Sequence, residues 1–225
     1  MKKRIKIDTS LLAIIILATV FTLLFFNTSP SNRVLDEVCD FIGFVSILKG
    51  IFLRMSARGH KKFYSQKSGK LVTTGPYSVI RNPMYLGSYL IGAGFALLVW
   101  PWWSLFLFTW IFYLRFKKQV VKEEKLLTGA FGDEYKTYCE KVPRFFPTVR
   151  NWFKIKPRKV FNFKQAFSTK EKLGLITWPL LAIFLEFSQE SLVKGNYNLL
   201  GTLFVFAAAA VFFAVGLGFF YYIIK

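Results

Sequence analysis

Six apolar runs punctuate this chain, at Leu11–Phe26, Val38–Leu53, Tyr85–Trp100, Trp102–Phe116, Leu173–Phe187 and Leu199–Ile224. They restrict the fold more than any other feature, because each must be buried against protein or lipid. A helix that crosses a bilayer needs about 20 residues, with about 17 as the lower limit. The last run is comfortably long, and the shorter ones span by borrowing flanking residues or by locally thinning the bilayer. The second carries Asp36, Glu37, Asp40 and Lys49 in or beside it. It reads as an amphipathic helix turned toward protein or an aqueous cavity.

The charges between the runs fix an orientation. With the N-terminus inside, segments 1–10, 54–84 and 115–172 and the final residue hold 28 of the 31 Lys and Arg residues. That asymmetry follows the positive-inside rule and places both termini in the cytoplasm. Composition agrees, since 225 residues that are 54% hydrophobic and 19% aromatic nonetheless carry a net charge of +19. A soluble domain of this size cannot hide so much apolar surface, and a disordered basic chain would lack it. The expected class is all-α, a polytopic membrane helix bundle of about six transmembrane helices. Met1-Lys2-Lys3-Arg4 before the first run raises a cleaved signal peptide as an alternative. No small-residue cleavage site follows Phe26, which favours an uncleaved first helix.

Little conventional chemistry is available. Cys39 and Cys139 fall on opposite sides of the membrane in this topology, and no Cys/His spacing suits zinc, so no metal site is expected. The one histidine, His60, reads as a solvated residue of a basic inner loop, which leaves no Ser-His-Asp arrangement.

Three inner segments carry what remains. In Gly69–Gly87 the Gly75-Pro76 pair forces a turn, Pro83 suits the first turn of a helix, and Asn82 is placed to cap it. Such a helix start offers unpaired N–H groups to a carboxylate or phosphate, although a well-capped helix explains it equally. Beyond it, Ser88-x-x-x-Gly92-x-x-x-Ala96 is a row of small residues suited to close helix packing. In the second segment, a fourth helix continuing out of the bilayer would set Arg115, Gln119 and Glu123 in one polar stripe. In the third, Val142 to Lys172, basic and aromatic residues interleave. Next to spanning helices this reads as a segment lying on membrane lipid rather than on nucleic acid.

Taken in order, Gly75-Pro76-Tyr77, Arg81-Asn82-Pro83-Met84-Tyr85-Leu86-Gly87, Glu123-Glu124, Phe131-Gly132-Asp133-Glu134-Tyr135 and Val142-Pro143-Arg144 resemble the isoprenylcysteine carboxyl methyltransferase family. Related phospholipid N-methyltransferases share much of the pattern. The resemblance implies an integral membrane enzyme with a cytoplasmic pocket for S-adenosylmethionine. It implies that Gly69, Lys70, Leu71, Val72, Tyr77, Asn82, Pro83, Met84, Tyr85, Glu123 and Glu124 line the cofactor. It also implies Arg81, Arg115 and Gln119 as substrate contacts. Asn82 stands where the family motif has His, and Gln119 stands where prenylcysteine enzymes have Arg. Asn keeps hydrogen bonding without charge, and a substrate carboxylate would turn to Arg81, Arg115 or Lys118. The expected organisation is an N-terminal helix over 1–33, a methyltransferase-like core over 34–150, and a basic segment with two extra helices over 151–225. The expected partners are membrane lipid and a lipid-like or prenylated substrate, methylated at a carboxylate or similar nucleophile. A sterol-type reductase using NADPH, or a transporter or scaffold without catalysis, stands as the alternative.

Overall fold

The computed structural model describes residues 33–68, 70–147, 162–189 and 199–223, and every regular element among them is helical. Helix α1 spans Arg33–Ser68, α2 Pro83–Val99, α3 Ser104–Lys141, α4 Phe163–Phe167, α5 Gly174–Gln189 and α6 Leu199–Ile223. Short 3-10 turns occupy Gly75–Ser78 and Lys170–Leu173. The all-α expectation holds. The first apolar run lies outside the described residues. Counting only residues whose side chains are described, no helix is long and apolar enough to cross a membrane.

Helices α1 and α2 form the centre, and glycines decide how they meet. A Cβ on Gly43 would lie 2.8 Å from the carbonyl oxygen of Gly94, and one on Gly50 would lie 2.6 Å from that of Gly87. Both pairs recur from the opposite side, at 2.5 Å and 2.8 Å. The partners advance along α1 as they retreat along α2, so the helices run antiparallel with their backbones touching at two levels. Side chains at any of the four positions would force them apart. The row of small residues anticipated for close helix packing is used for it on two sides of α2. Gly92 receives the Phe108 ring of α3, and Ser88 binds Arg54 of α1.

Around that contact, Ile47, Ile51, Met55 and Phe95 are almost fully buried. Helices α5 and α6 close over them through Phe95 against Trp178 and Phe44 stacked on Phe206, with ring centroids 5.7 and 4.5 Å apart. Helix α3 buries only one stripe, with Phe112, Phe116 and Val120 facing inward. Its opposite face exposes Phe106, Leu107, Trp110, Ile111 and Leu114.

Two expectations about the basic segments need correction. The apolar run Val38–Leu53 is the middle of a 36-residue helix, not a helix in itself. No proline interrupts residues 54–68, so α1 continues through the basic stretch. His60 therefore lies within a helix at 7% exposure, not in a solvated loop. The segment from Val142 onward is described in part: Val142 is buried and Asn162–Leu173 packs on α1 through a fully buried Ala166, while Phe146 and Phe167 stay exposed.

Candidate functional site

The site forms where α1, the turn before α2 and the far half of α3 converge. Gly75 starts the turn with φ +63°, a conformation that L side chains rarely adopt. It has a second constraint, because a Cβ there would lie 2.6 Å from the His60 ring. Pro76 follows, and Ser78 closes the turn by donating to the Gly75 carbonyl at 2.7 Å. The chain then enters α2 at Pro83.

Asn82 occupies the N-cap position, yet its side chain does not cap the helix. Its main-chain oxygen accepts from Tyr85 and Leu86, while its side-chain amide donates to the Arg144 carbonyl at 3.2 Å. Arg81 fixes the same strand of chain from the other side, its amide donating to the Pro143 carbonyl at 2.8 Å. Residues 143–144 are thus part of the site's frame.

Helix α3 contributes the acidic pair. The Tyr85 hydroxyl donates to Glu123 at 2.8 Å, and the Gln119 amide donates to the same oxygen at 3.3 Å. Glu124 points into a different network. It pairs with Arg81 at 3.2 Å and accepts both Arg144 Nε and Nη2, at 3.0 and 2.5 Å. Adjacent glutamates therefore differ in kind: Glu124 ties α3 to the 81–82 turn and to 144, whereas Glu123 meets the Tyr85 hydroxyl.

Past Glu124 the helix breaks at Gly132, with φ 51° and ψ −123°, and its last turns fold back. Tyr135 and Tyr138 are buried there with Val142, against Leu71, Leu127 and Phe131. The Tyr138 hydroxyl donates to the Tyr77 carbonyl at 2.6 Å and so closes the ring of elements. Burial, with Cys139 and Glu124 nearby, pushes the Tyr135 hydroxyl up to about 12. Burial pushes Tyr138 up as well. Both stay protonated near neutrality and serve as hydrogen-bonding walls, not as bases.

These elements enclose an open cavity of about 230 Å³. Ten of the eleven positions anticipated for the cofactor line it: Lys70, Leu71, Val72 and Tyr77 from the turn, Asn82 to Tyr85 from the start of α2, and Glu123 with Glu124 from α3. Gly69 lies outside the described residues. Arg81 also lines the cavity, while Arg115 is exposed on α3 away from it and Gln119 reaches it through Glu123. Sequence reasoning did not anticipate Lys61, Leu127, Phe131, Tyr135 or Tyr138 in the wall. Lys61 was hidden by the unexpected length of α1, whereas the tyrosines could have been found from their three-residue spacing after Gly132.

On the far side of Tyr85 a second, almost wholly apolar groove of about 100 Å³ runs between α2 and α3. Leu86, Tyr89, Phe112, Phe116, Phe145 and Phe146 line it, with Lys117 at its edge.

Comparison with known proteins places this arrangement. Residues 39–134, which include all the described cavity residues except the last two tyrosines, match the family model for phospholipid methyltransferases. Over that stretch, which is less than half of its length, the chain is similar to the phospholipid methyltransferases. It is 31% identical over 116 residues to a protein-S-isoprenylcysteine O-methyltransferase of Schizosaccharomyces pombe, covering 48% of each chain. It is 32% identical over 127 residues to the Saccharomyces cerevisiae protein of the same name, covering 53% of each. A nickel-cobalt-cadmium resistance protein, NccN, of Alcaligenes xylosoxydans xylosoxydans is 32% identical over 84 residues, 37% of this chain and 39% of that one. The chain thus spans about half the length of the curated relatives it matches. No solved structure matches it.

Proposed function

We propose that the protein is an integral membrane methyltransferase that transfers a methyl group from S-adenosylmethionine to a lipid-like or prenylated substrate. The observation that carries this reading is the position of Tyr85, which lines both the cavity that holds the charged Glu123, Glu124, Lys61 and Lys70 and the apolar groove, and whose hydroxyl binds Glu123. A methyl donor on one side and a greasy acceptor on the other would meet across that residue.

The cavity's chemistry suits the donor. Glu123 is a carboxylate for the cationic half of a sulfonium amino acid, and Lys61 and Lys70 are cations for its carboxylate. Leu71, Val72, Leu127 and Phe131 offer an apolar wall for a flat base. S-adenosylmethionine bound there supplies a methyl on a positively charged sulfur, whose thioether leaves without needing a proton. The protein's share of the work is then to orient, to desolvate and to exclude water. Tyr85 holds Glu123 in place, Glu124 holds the α2 start against α3 through Arg81 and Arg144, and the tyrosines close the outer wall. His60 does not line the cavity and engages Thr74 instead. A carboxylate acceptor, which needs no base to be nucleophilic, fits that arrangement better than a protonated amine.

The membrane reading draws on the charge segregation along the chain and on the exposed apolar faces of α3, α5 and α6, where Trp110, Ile176, Leu180, Leu200 and Phe204 stand open. We take residues 34–150 as the catalytic unit and both termini as cytoplasmic. In this arrangement the apolar part of the acceptor enters the Phe112–Phe116 groove directly from lipid.

Radiolabelled S-adenosylmethionine binding to the detergent-purified protein tests the proposal, with Tyr85→Ala and Glu123→Gln as variants. Saturable binding that weakens about tenfold or more in both is the expected result, as for a lost charge-assisted contact. Absence of binding in the parent protein overturns the proposal. Incubation with lipid extract and labelled donor then identifies the acceptor.

A further inference from the structure

The segment Asn162–Leu173 lies beyond the stretch that matches the family, yet it is fastened to α1 at several points. Asn162 caps the five-residue α4 by accepting from the Gln165 amide at 3.1 Å. The α4 backbone then presses directly on α1, since a Cβ on Gly59 would lie 2.2 Å from the Gln165 carbonyl oxygen. One turn of chain later, Glu171 places its carboxylate between Arg54 and Arg58, accepting Arg54 Nε at 3.2 Å. Burial pushes this carboxyl up, but the two guanidiniums outweigh it and hold it below the usual carboxylate range. Lys62 adds a bond to the Ser168 carbonyl at 3.3 Å.

The α1 residue next to Gly59 is His60. Its ring Nε2 meets the Thr74 hydroxyl at 2.9 Å, and its ring fills the space that the bare Gly75 leaves. Tyr77, two residues on, and Lys70 to Val72, just before, form one wall of the donor cavity. A continuous line of contacts therefore runs from segment 162–173 through Gly59 and His60 to the turn at Thr74–Tyr77.

We infer that this segment is a strap that sets the donor-binding turn through His60, which makes His60 a positioning residue for the methyl donor. The inference rests on the proposed donor cavity, and it gives the chain beyond the family core a task. An unfastened strap would let α1 shift at Gly59, release the ring from Gly75, and leave the turn to sample other conformations. The donor would then bind a wall that is formed only part of the time, so its apparent affinity falls by the competent fraction.

The test uses the full chain in detergent with radiolabelled S-adenosylmethionine and hydrogen exchange as readouts, comparing His60→Ala, His60→Gln and Glu171→Gln. His60→Ala and Glu171→Gln are expected to weaken donor binding about fivefold, one lost hydrogen bond's worth. Exchange should quicken at amides 74–80 and stay unchanged in the α1–α2 core around Ile47 and Phe95. His60→Gln, which retains a donor toward Thr74, is expected to recover most of the affinity. Should His60→Ala raise exchange throughout the molecule, Glu171→Gln alone decides. Unchanged affinity and exchange in Glu171→Gln overturns the strap. If the parent protein binds no donor, the cavity's assignment fails separately, and faster exchange at 74–80 in the variants still supports the mechanical link.

Discussion

At the scale of residues, the site depends on neighbours that divide the work between them. Glu123 and Glu124 are adjacent, yet one meets Tyr85 while the other is clasped by Arg81 and Arg144. Glu124→Gln should accordingly act through the frame, loosening the contact between α3 and the Arg81–Asn82 turn. Tyr85→Phe keeps the ring packed on Phe116 but removes one donor from the Glu123 carboxylate, to which Gln119 still donates. Isothermal titration with S-adenosylhomocysteine should show binding about tenfold weaker or more, with the melting temperature changed little.

The titrating groups give signs that can be checked. Tyr135 has its hydroxyl raised to about 12, so between about pH 10 and 12 the unfolded chain loses its proton first. Stability should hold below pH 10 and fall as pH rises through that window, and Tyr135→Phe should flatten the slope. Burial lowers His60, with the Gln165 side chain pulling the other way. Its neutral form belongs to the folded state, so stability should decline as pH falls below about 6.5. His60→Gln should remove that decline. Tyr64 packs on the ring, and Lys61 and Lys62 follow His60 in sequence on α1.

At the scale of elements, glycine positions govern the geometry. Gly50→Val would drive a branched side chain against the Gly87 backbone, where neither helix can yield without separating at both glycine levels. Overpacking of this kind costs about 1–3 kcal/mol or more, and denaturation in mild detergent should register it. Gly132 differs, for nothing crowds it and its backbone angle alone demands glycine. Gly132→Ala is expected to cost about 1–3 kcal/mol. It should also straighten the end of α3, withdrawing Tyr138 from the Tyr77 carbonyl and opening the cavity's outer wall.

The elements were unevenly legible in the sequence. The apolar runs located α1, α2, α5 and α6 and the first third of α3, because burial follows hydropathy. They did not give the length of α1, since nothing in the basic stretch after Leu53 signals a stop, whereas the continuation of α3 past Phe116 was readable from the stripe Arg115, Gln119 and Glu123. The turn at Gly75–Pro76 was legible from local backbone chemistry alone. Asn82 shows the limit of such reasoning: its place at the helix start was readable, but its amide is drawn off to Arg144, a partner 62 residues away. His60 was misread for the same reason, because its burial depends on α4 and on Gly75, neither adjacent to it in sequence.

At the scale of the whole molecule, the helical stretch that matches the phospholipid methyltransferase model holds most of the cavity wall, and later chain is laid against its outside. Helices α5 and α6 cover the α1–α2 core through Trp178 and Phe206, and the Glu171 segment braces the end of α1 that carries His60. The cavity that holds Glu123 and Glu124 and the apolar groove meet at Tyr85, and the proposed transfer from a soluble donor to a lipid-like acceptor rests on that juxtaposition. The direct measurement is ultraviolet cross-linking of S-adenosyl[methyl-³H]methionine to the purified protein, followed by mapping of the labelled peptides. The account predicts label confined to peptides spanning residues 70–85 and 123–138, competed away by S-adenosylhomocysteine. Label elsewhere, or label that the competitor leaves in place, would contradict it.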